Sequence, residues 1–197
     1  MPPLINRLHQ HEINMTNNNQ SFNFIIRKHY KHIYGKCNED DAYGIIGTPG
    51  IAKSVSLLYP LLSHFGQYKD SISDAPPVLL HSCMGDIAHL FFNGSYWEVI
   101  DFMRGQSNLK NILSEFTDLL YLADAPKPAT HLVTNMKYKT IIASSPDRSG
   151  YYEILKHGDS FIMPGWSLDE ILESKPFIKE ELSDDEVIRR FDMYLFE

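Results

Sequence analysis

Cysteine is scarce in this chain of 197 residues: there are two, Cys37 and Cys83. Two thiols cannot build a disulfide framework. A reducing compartment is therefore expected, with both thiols buried or inert. Long apolar runs are also missing. The longest are short, such as Leu57 to Leu62, whereas a membrane-spanning helix needs about 20 apolar residues. The first residues, Met1-Pro2-Pro3-Leu4-Ile5-Asn6-Arg7, lack the charged start, apolar middle and small-residue cleavage site of a secretory signal. A cytoplasmic or nuclear protein is expected. Positive charge is in deficit, with 18 Lys and Arg against 25 Asp and Glu, a formal net charge of -7. That balance argues against direct nucleic-acid binding, which needs a basic face. No G-x-S-x-G is present, so Ser-His-Asp chemistry has no local signature.

What remains is ordinary globular material, 43% hydrophobic and 22% charged, which excludes wholesale disorder and fibrous repeats. Residues 1–21 are polar and carry Asn17-Asn18-Asn19-Gln20. They read as a mobile leader before one domain over 22–197. Charge is uneven. Residues 167–197 hold ten acidic and four basic side chains, a net of -6, read as a solvated helical face.

Along the domain, apolar Ile26, Tyr30 and Ile33 predict a helix that Gly35 and the polar cluster after Cys37 stop. Ala42–Ile46 predicts a buried strand, and Ile51–His64 a helix kinked or ended at Pro60. Pro77–Cys83 predicts a strand. Asn93-Gly94, between Leu90-Phe91-Phe92 and Ser95-Tyr96-Trp97, predicts a hairpin with a primed turn. A helix over Leu109–Phe116 precedes an apolar strand, Leu119–Ala123, that ends at Asp124. A further strand is expected over Thr140–Ala143, a short helix over Tyr151–Lys156 and a last strand over Ser160–Met163. Ser167 with Glu170 and Ser183 with Glu186 are capping boxes that open two helices. Strands alternating with helices predict an α/β domain with a mostly parallel sheet and an inserted β-hairpin.

The sharpest motif is Gly47-Thr48-Pro49-Gly50-Ile51-Ala52-Lys53-Ser54. It follows the phosphate-loop pattern G-x-x-x-x-G-K-[ST] between a strand and a helix. In such a loop backbone N–H groups wrap a phosphate, aided by the helix N-terminus. Lys53 would reach the terminal phosphates and the Ser54 hydroxyl would ligate Mg²⁺. Ala52 stands where the pattern has glycine, with a methyl where backbone must approach phosphate closely. Two outcomes stand side by side: a loop that shifts to make room, or one that no longer holds phosphate. Asp124, delivered by a buried strand, is the candidate carboxylate for the metal; the plain alternative is a solvated loop aspartate. Ala125 follows it where many P-loop ATPases have a water-polarising Glu. Ser144 and Ser145 end the next strand, either to sense a γ-phosphate or to form a Ser-Ser-Pro turn. His29 and His32 have metal-compatible i, i+3 spacing, but surface histidines explain them better. Trp97 and Trp166 read as core anchors.

These blocks occur in series. Phe24-Ile25-Ile26-Arg27-Lys28-His29-Tyr30, Tyr34, the 47–54 loop and Tyr121-Leu122-Ala123-Asp124 come first. Ala143-Ser144-Ser145-Pro146, Tyr152 and Met163-Pro164-Gly165-Trp166-Ser167-Leu168-Asp169-Glu170 follow. In this order the chain resembles, over residues 22–197, the P-loop ATPase module of Crinkler-type effectors and retrotransposon hot spot proteins. The resemblance implies a P-loop NTPase-like three-layer α/β/α fold that binds ATP and Mg²⁺. Lys53, Ser54 and Asp124 would take the Walker roles. It also implies that secretion or host delivery belongs to the family.

Three features depart from the family. Its members usually have glycine where Ala52 stands. A Gly-Gly-x-Pro-Arg element commonly follows the helix that here includes Arg189-Arg190-Phe191. The N-terminal delivery motif is not evident in residues 1–21. The expectation is accordingly a module without its lid and effector domain. Its function is then either nucleotide binding with weak or partner-dependent hydrolysis, or a nucleotide-free scaffold for protein interaction or self-association.

Overall fold

The computed structural model describes residues 9–11, 25–37, 42–82, 87–99, 115–125, 138–146, 158–177 and 182–195. The expected helices over 109–116 and 151–156 lie outside them, except for Glu115 and Phe116. The frame is an eight-stranded sheet. Its strands are β1 (His9–His11), β2 (Ala42–Ile46), β3 (Val78–Ser82), β4 (Ile87–Phe92), β5 (Ser95–Val99), β6 (Leu120–Asp124), β7 (Lys139–Ser144) and β8 (Asp159–Ile162). The spatial order is β1-β5-β4-β3-β6-β7-β2-β8. From β3 to β8 every pairing is parallel, while β3–β4, β4–β5 and β5–β1 are antiparallel. The α/β class, the mostly parallel sheet and the inserted hairpin are as the alternation of elements implies. At the hairpin tip Asn93 and Gly94 both have positive φ, 52° and 71°, the pair of left-handed positions that a primed two-residue turn requires. β1 belongs to the stretch read as a leader and pairs with β5, His9 opposite Glu98.

The central strands are buried on both faces, so they read as continuous apolar runs rather than alternating ones. One face carries Tyr43, Ile45, Leu120, Leu122, Ile141 and Ala143. Packed over it are Tyr30 and Ile33 from α1 (Lys28–Cys37) and Leu61 from α3 (Leu58–Gln67). The other face carries Leu79, Leu90, Trp97, Tyr121, Ala123 and Ile142. Trp97 is the core anchor expected of it, whereas Trp166 is only partly buried.

The helix expected over Ile51–His64 is two helices. α2 (Lys53–Ser56) stops at Leu57 and α3 starts at Leu58. Pro60 is the third residue of α3. It has no N–H to give to the carbonyl of Ser56, so the α-helical ladder breaks there. The proline itself sits in a first turn, where no N–H is needed. α4 (Leu168–Ser174) carries the complete capping box of Ser167 and Glu170. α5 (Asp184–Leu195) has the Ser183 half, a bond from the Glu186 N–H to Ser183 Oγ of 3.2 Å. The Glu186 carboxylate is taken instead by Arg189 and Arg190.

Candidate functional site

Three parallel strand ends lie side by side. Ile46 of β2 is level with Ser144 of β7, and Asp124 of β6 is level with Ala143. The ends are stitched together beyond the ladder. Gly47 N–H donates to the Ser144 carbonyl at 3.3 Å and Ala125 N–H to the Ala143 carbonyl at 2.8 Å. With adjacent strands about 4.8 Å apart, Asp124 stands roughly 10 Å from the end of β2. The loop 47–54 leaves β2 at this edge.

The loop residues take distinct places. Gly47 is buried, and a Cβ there would run into the Ile51 side chain and approach the Met163 carbonyl at 3.1 Å. A side chain there requires the end of Ile51 to move. Thr48, Pro49 and Gly50 are exposed, and Gly50 has φ +83°, a left-handed turn that glycine adopts freely. Ile51 turns inward and is buried with the α1–α3 face of the sheet. Ala52 caps α2 with φ 68° and ψ 30°. Alanine thus occupies a left-handed position. The anomaly read from the sequence is a conformational one, in the backbone, as well as a matter of the methyl group.

Lys53 opens α2 and folds back over the loop, its Nζ donating to the Thr48 carbonyl at 2.6 Å. Burial pushes the Lys53 ammonium below the usual lysine range, and the Asp124 carboxylate pulls it back up. The two residues are 71 positions apart in the sequence. Ser54 follows on the exposed side of α2. Ser144 is buried at the end of β7, the strand between β2 and β6. α2 has only four residues, so the helix N-terminus contributes less field than the expected longer helix would.

Sequence reasoning missed the most heavily bonded side chain near the loop. Arg27 precedes α1 and its side chain is fully buried. It forks onto Glu170, Nε to Oε1 at 3.1 Å and Nη2 to Oε2 at 2.9 Å. Nη1 donates to the carbonyls of Ile51 (3.3 Å) and Pro164 (3.2 Å), and Nη2 to that of Gly165 (2.8 Å). These bonds use all five N–H donors of a guanidinium. Trp166 lies against it, 4.5 Å from ring centre to Cζ, a cation–π contact. Burial favours the neutral acid at Glu170. Bonds from Arg27, and from the Ser167 backbone and hydroxyl, outweigh this and hold its pKa down to about 2. The sequence signals were the capping-box spacing of Ser167 and Glu170 and the presence of Arg27 and of Met163–Glu170 in separate blocks of the resemblance. Neither joins Arg27 to Glu170, which is 143 residues away.

Other candidates separate from the site. His29 and His32 both lie against Phe161 of β8, with ring centres 5.6 and 5.7 Å apart. Among the described residues no three His, Cys, Asp or Glu side chains gather as metal ligands, and no helix is long and apolar enough to cross a membrane.

Comparison with protein-family models, curated proteins and solved structures finds no match to this chain.

Proposed function

We propose that the chain is a nucleoside-triphosphate-binding protein of P-loop type, related to the Crinkler-like modules, with ATP and Mg²⁺ as its ligands. The observation that carries this reading is the placement of the 47–54 loop, with Lys53 folded over it onto the Thr48 carbonyl, and of Asp124 at neighbouring ends of β2, β7 and β6. A P-loop site needs an ammonium beside a loop of backbone amides, and a carboxylate at the end of a nearby strand for the metal. The strand order supports it. β2, the earliest of the parallel five, lies between β7 and β8, the two latest, while β3 lies three places away. Open parallel sheets take ligands outside the carboxyl ends of strands where the order is discontinuous. The three-layer P-loop fold belongs to the same proposal.

In this reading Thr48, Gly50, Ile51, Ala52 and Lys53 turn their amides to the phosphates, while Gly47, its N–H tied to the Ser144 carbonyl, and Pro49 shape the turn. The Lys53 ammonium exchanges the Thr48 carbonyl for a phosphate oxygen. Ser54 and Asp124 would hold Mg²⁺, which would neutralise charge on the phosphates. This donor set needs no cluster of three protein carboxylates or imidazoles. Ser144, level with the end of β2, faces the transferred phosphate.

Ala125 leaves the water-activating role unfilled by the residue after Asp124. Hydrolysis is then weak or depends on a partner that supplies the missing groups. The alternative is a nucleotide-free scaffold, and the left-handed alanine favours it.

Titration of the purified protein with a fluorescent ATP analogue and Mg²⁺, beside Lys53→Ala and Ala52→Gly, distinguishes the two. Binding by the natural chain that is lost in Lys53→Ala supports the ligand reading. Binding by Ala52→Gly alone means that the natural chain is the scaffold. Binding by none overturns the proposal.

A further inference from the structure

The loop is held from behind by a group that belongs neither to it nor to its strand. We infer that Arg27 is a positioning residue for the 47–54 loop, clamping the Ile51 carbonyl to the Met163–Glu170 segment so that the flanking loop amides keep one arrangement. The inference rests on the reading of that loop as a phosphate site.

The Ile51 carbonyl lies between two left-handed residues, Gly50 and Ala52. Alanine is a poor occupant of that conformation, so an external tether is needed to keep it there. Arg27 supplies one at 3.3 Å. Its remaining donors go to the carbonyls of Pro164 and Gly165 and to Glu170, so the guanidinium cannot turn toward an anion. Glu170 neutralises the buried cation and is itself fixed in the first turn of α4 by Ser167. A second tie runs parallel to it, from Met163 N–H to the Ile46 carbonyl at 2.7 Å. The segment after β8 is thereby part of the loop's support.

The test uses the full chain. Arg27→Met/Glu170→Met replaces the ion pair by apolar side chains of similar length, a change that folded proteins commonly tolerate. Arg27→Lys is the second variant, keeping the charge opposite Glu170 but losing the fork. Amide hydrogen exchange is followed without ligand, together with binding of the fluorescent ATP analogue with Mg²⁺. The expected result is exchange at Ser56 and Leu57, whose N–H groups bond to the carbonyls of Ala52 and Ser54 at the end of the loop, faster by about tenfold or more, with the strands β6 and β7 unchanged. Binding weakens by a similar factor in whichever variant folds.

Exchange at Ser56 and Leu57 equal to that of the natural chain in a folded variant overturns the inference, as does acceleration spread evenly over the whole protein. If the natural chain does not bind the analogue, the nucleotide reading fails by itself. The exchange comparison still decides whether Arg27 holds the loop.

Discussion

At the scale of single residues, Ala52 and Gly47 are opposite cases. Ala52 has a side chain where the backbone prefers none, φ 68°. A left-handed conformation costs a non-glycine residue about 1–2 kcal/mol, and glycine's extra freedom in the unfolded chain returns about 0.4–1 kcal/mol of that. Ala52→Gly should therefore stabilise the protein by about 0.5–1 kcal/mol. The gain is read as a higher urea midpoint at unchanged slope. At Gly47 a Cβ would meet the end of the buried Ile51 side chain, which would have to turn aside, and would stand 3.1 Å from the Met163 carbonyl. Gly47→Ala should cost about 1–3 kcal/mol by overpacking, measured in the same way. A neutral result there would mean that Ile51 is free to turn out of the core. Both residues were singled out by the loop motif. The reason each matters, strain at one and space at the other, comes from φ and from neighbours that the motif does not contain.

Elements show where local rules held and where one was overruled. The Asn93-Gly94 turn, β2 and the Ser167–Glu170 cap follow from residues within a few positions of one another, and each was legible. Pro60 marked a break, but the break falls three residues earlier, at Leu57, because the missing N–H acts on the carbonyl four positions back. Glu170 has a role in its own helix and another outside it. Its pKa of about 2 lies below the ordinary carboxylate value of 4.5. A depressed folded value means stability that is present above the unfolded pKa and lost as pH falls toward the folded one. Unfolding free energy should fall between about pH 4.5 and 2 by something on the order of 1–2 kcal/mol from this group, reduced by the solvent at its edge. Glu170→Gln should flatten that part of the acid limb and lower stability at neutral pH, where Arg27 loses its counter-charge. An unchanged acid profile would show that the Arg27–Glu170 pair carries little of the fold's pH dependence.

For the whole molecule, strand order decides what the sequence could only juxtapose. Residues 47–54, 124 and 144 come from three separate parts of the chain, and parallel pairing of β2, β7 and β6 brings their strand ends together. A ligand bound there binds the folded state alone. With Mg²⁺ and ATP at ~100 times the dissociation constant, stability should rise by about 2.7 kcal/mol, measured by thermal or urea unfolding. The rise should vanish in Lys53→Ala. No rise at any ligand concentration would leave the sheet edge without the proposed role.

Apolar runs bounded by glycine, proline and asparagine were enough by themselves to set the α/β class, most strand positions and the loop that follows β2, because those choices depend on side chains a few residues apart. The order of the strands, the left-handed backbone at Ala52 and the burial of Arg27 under Trp166 were decided by tertiary structure. They depend on packing and hydrogen bonds between segments up to 143 residues apart, where no local spacing records which partner a group will find.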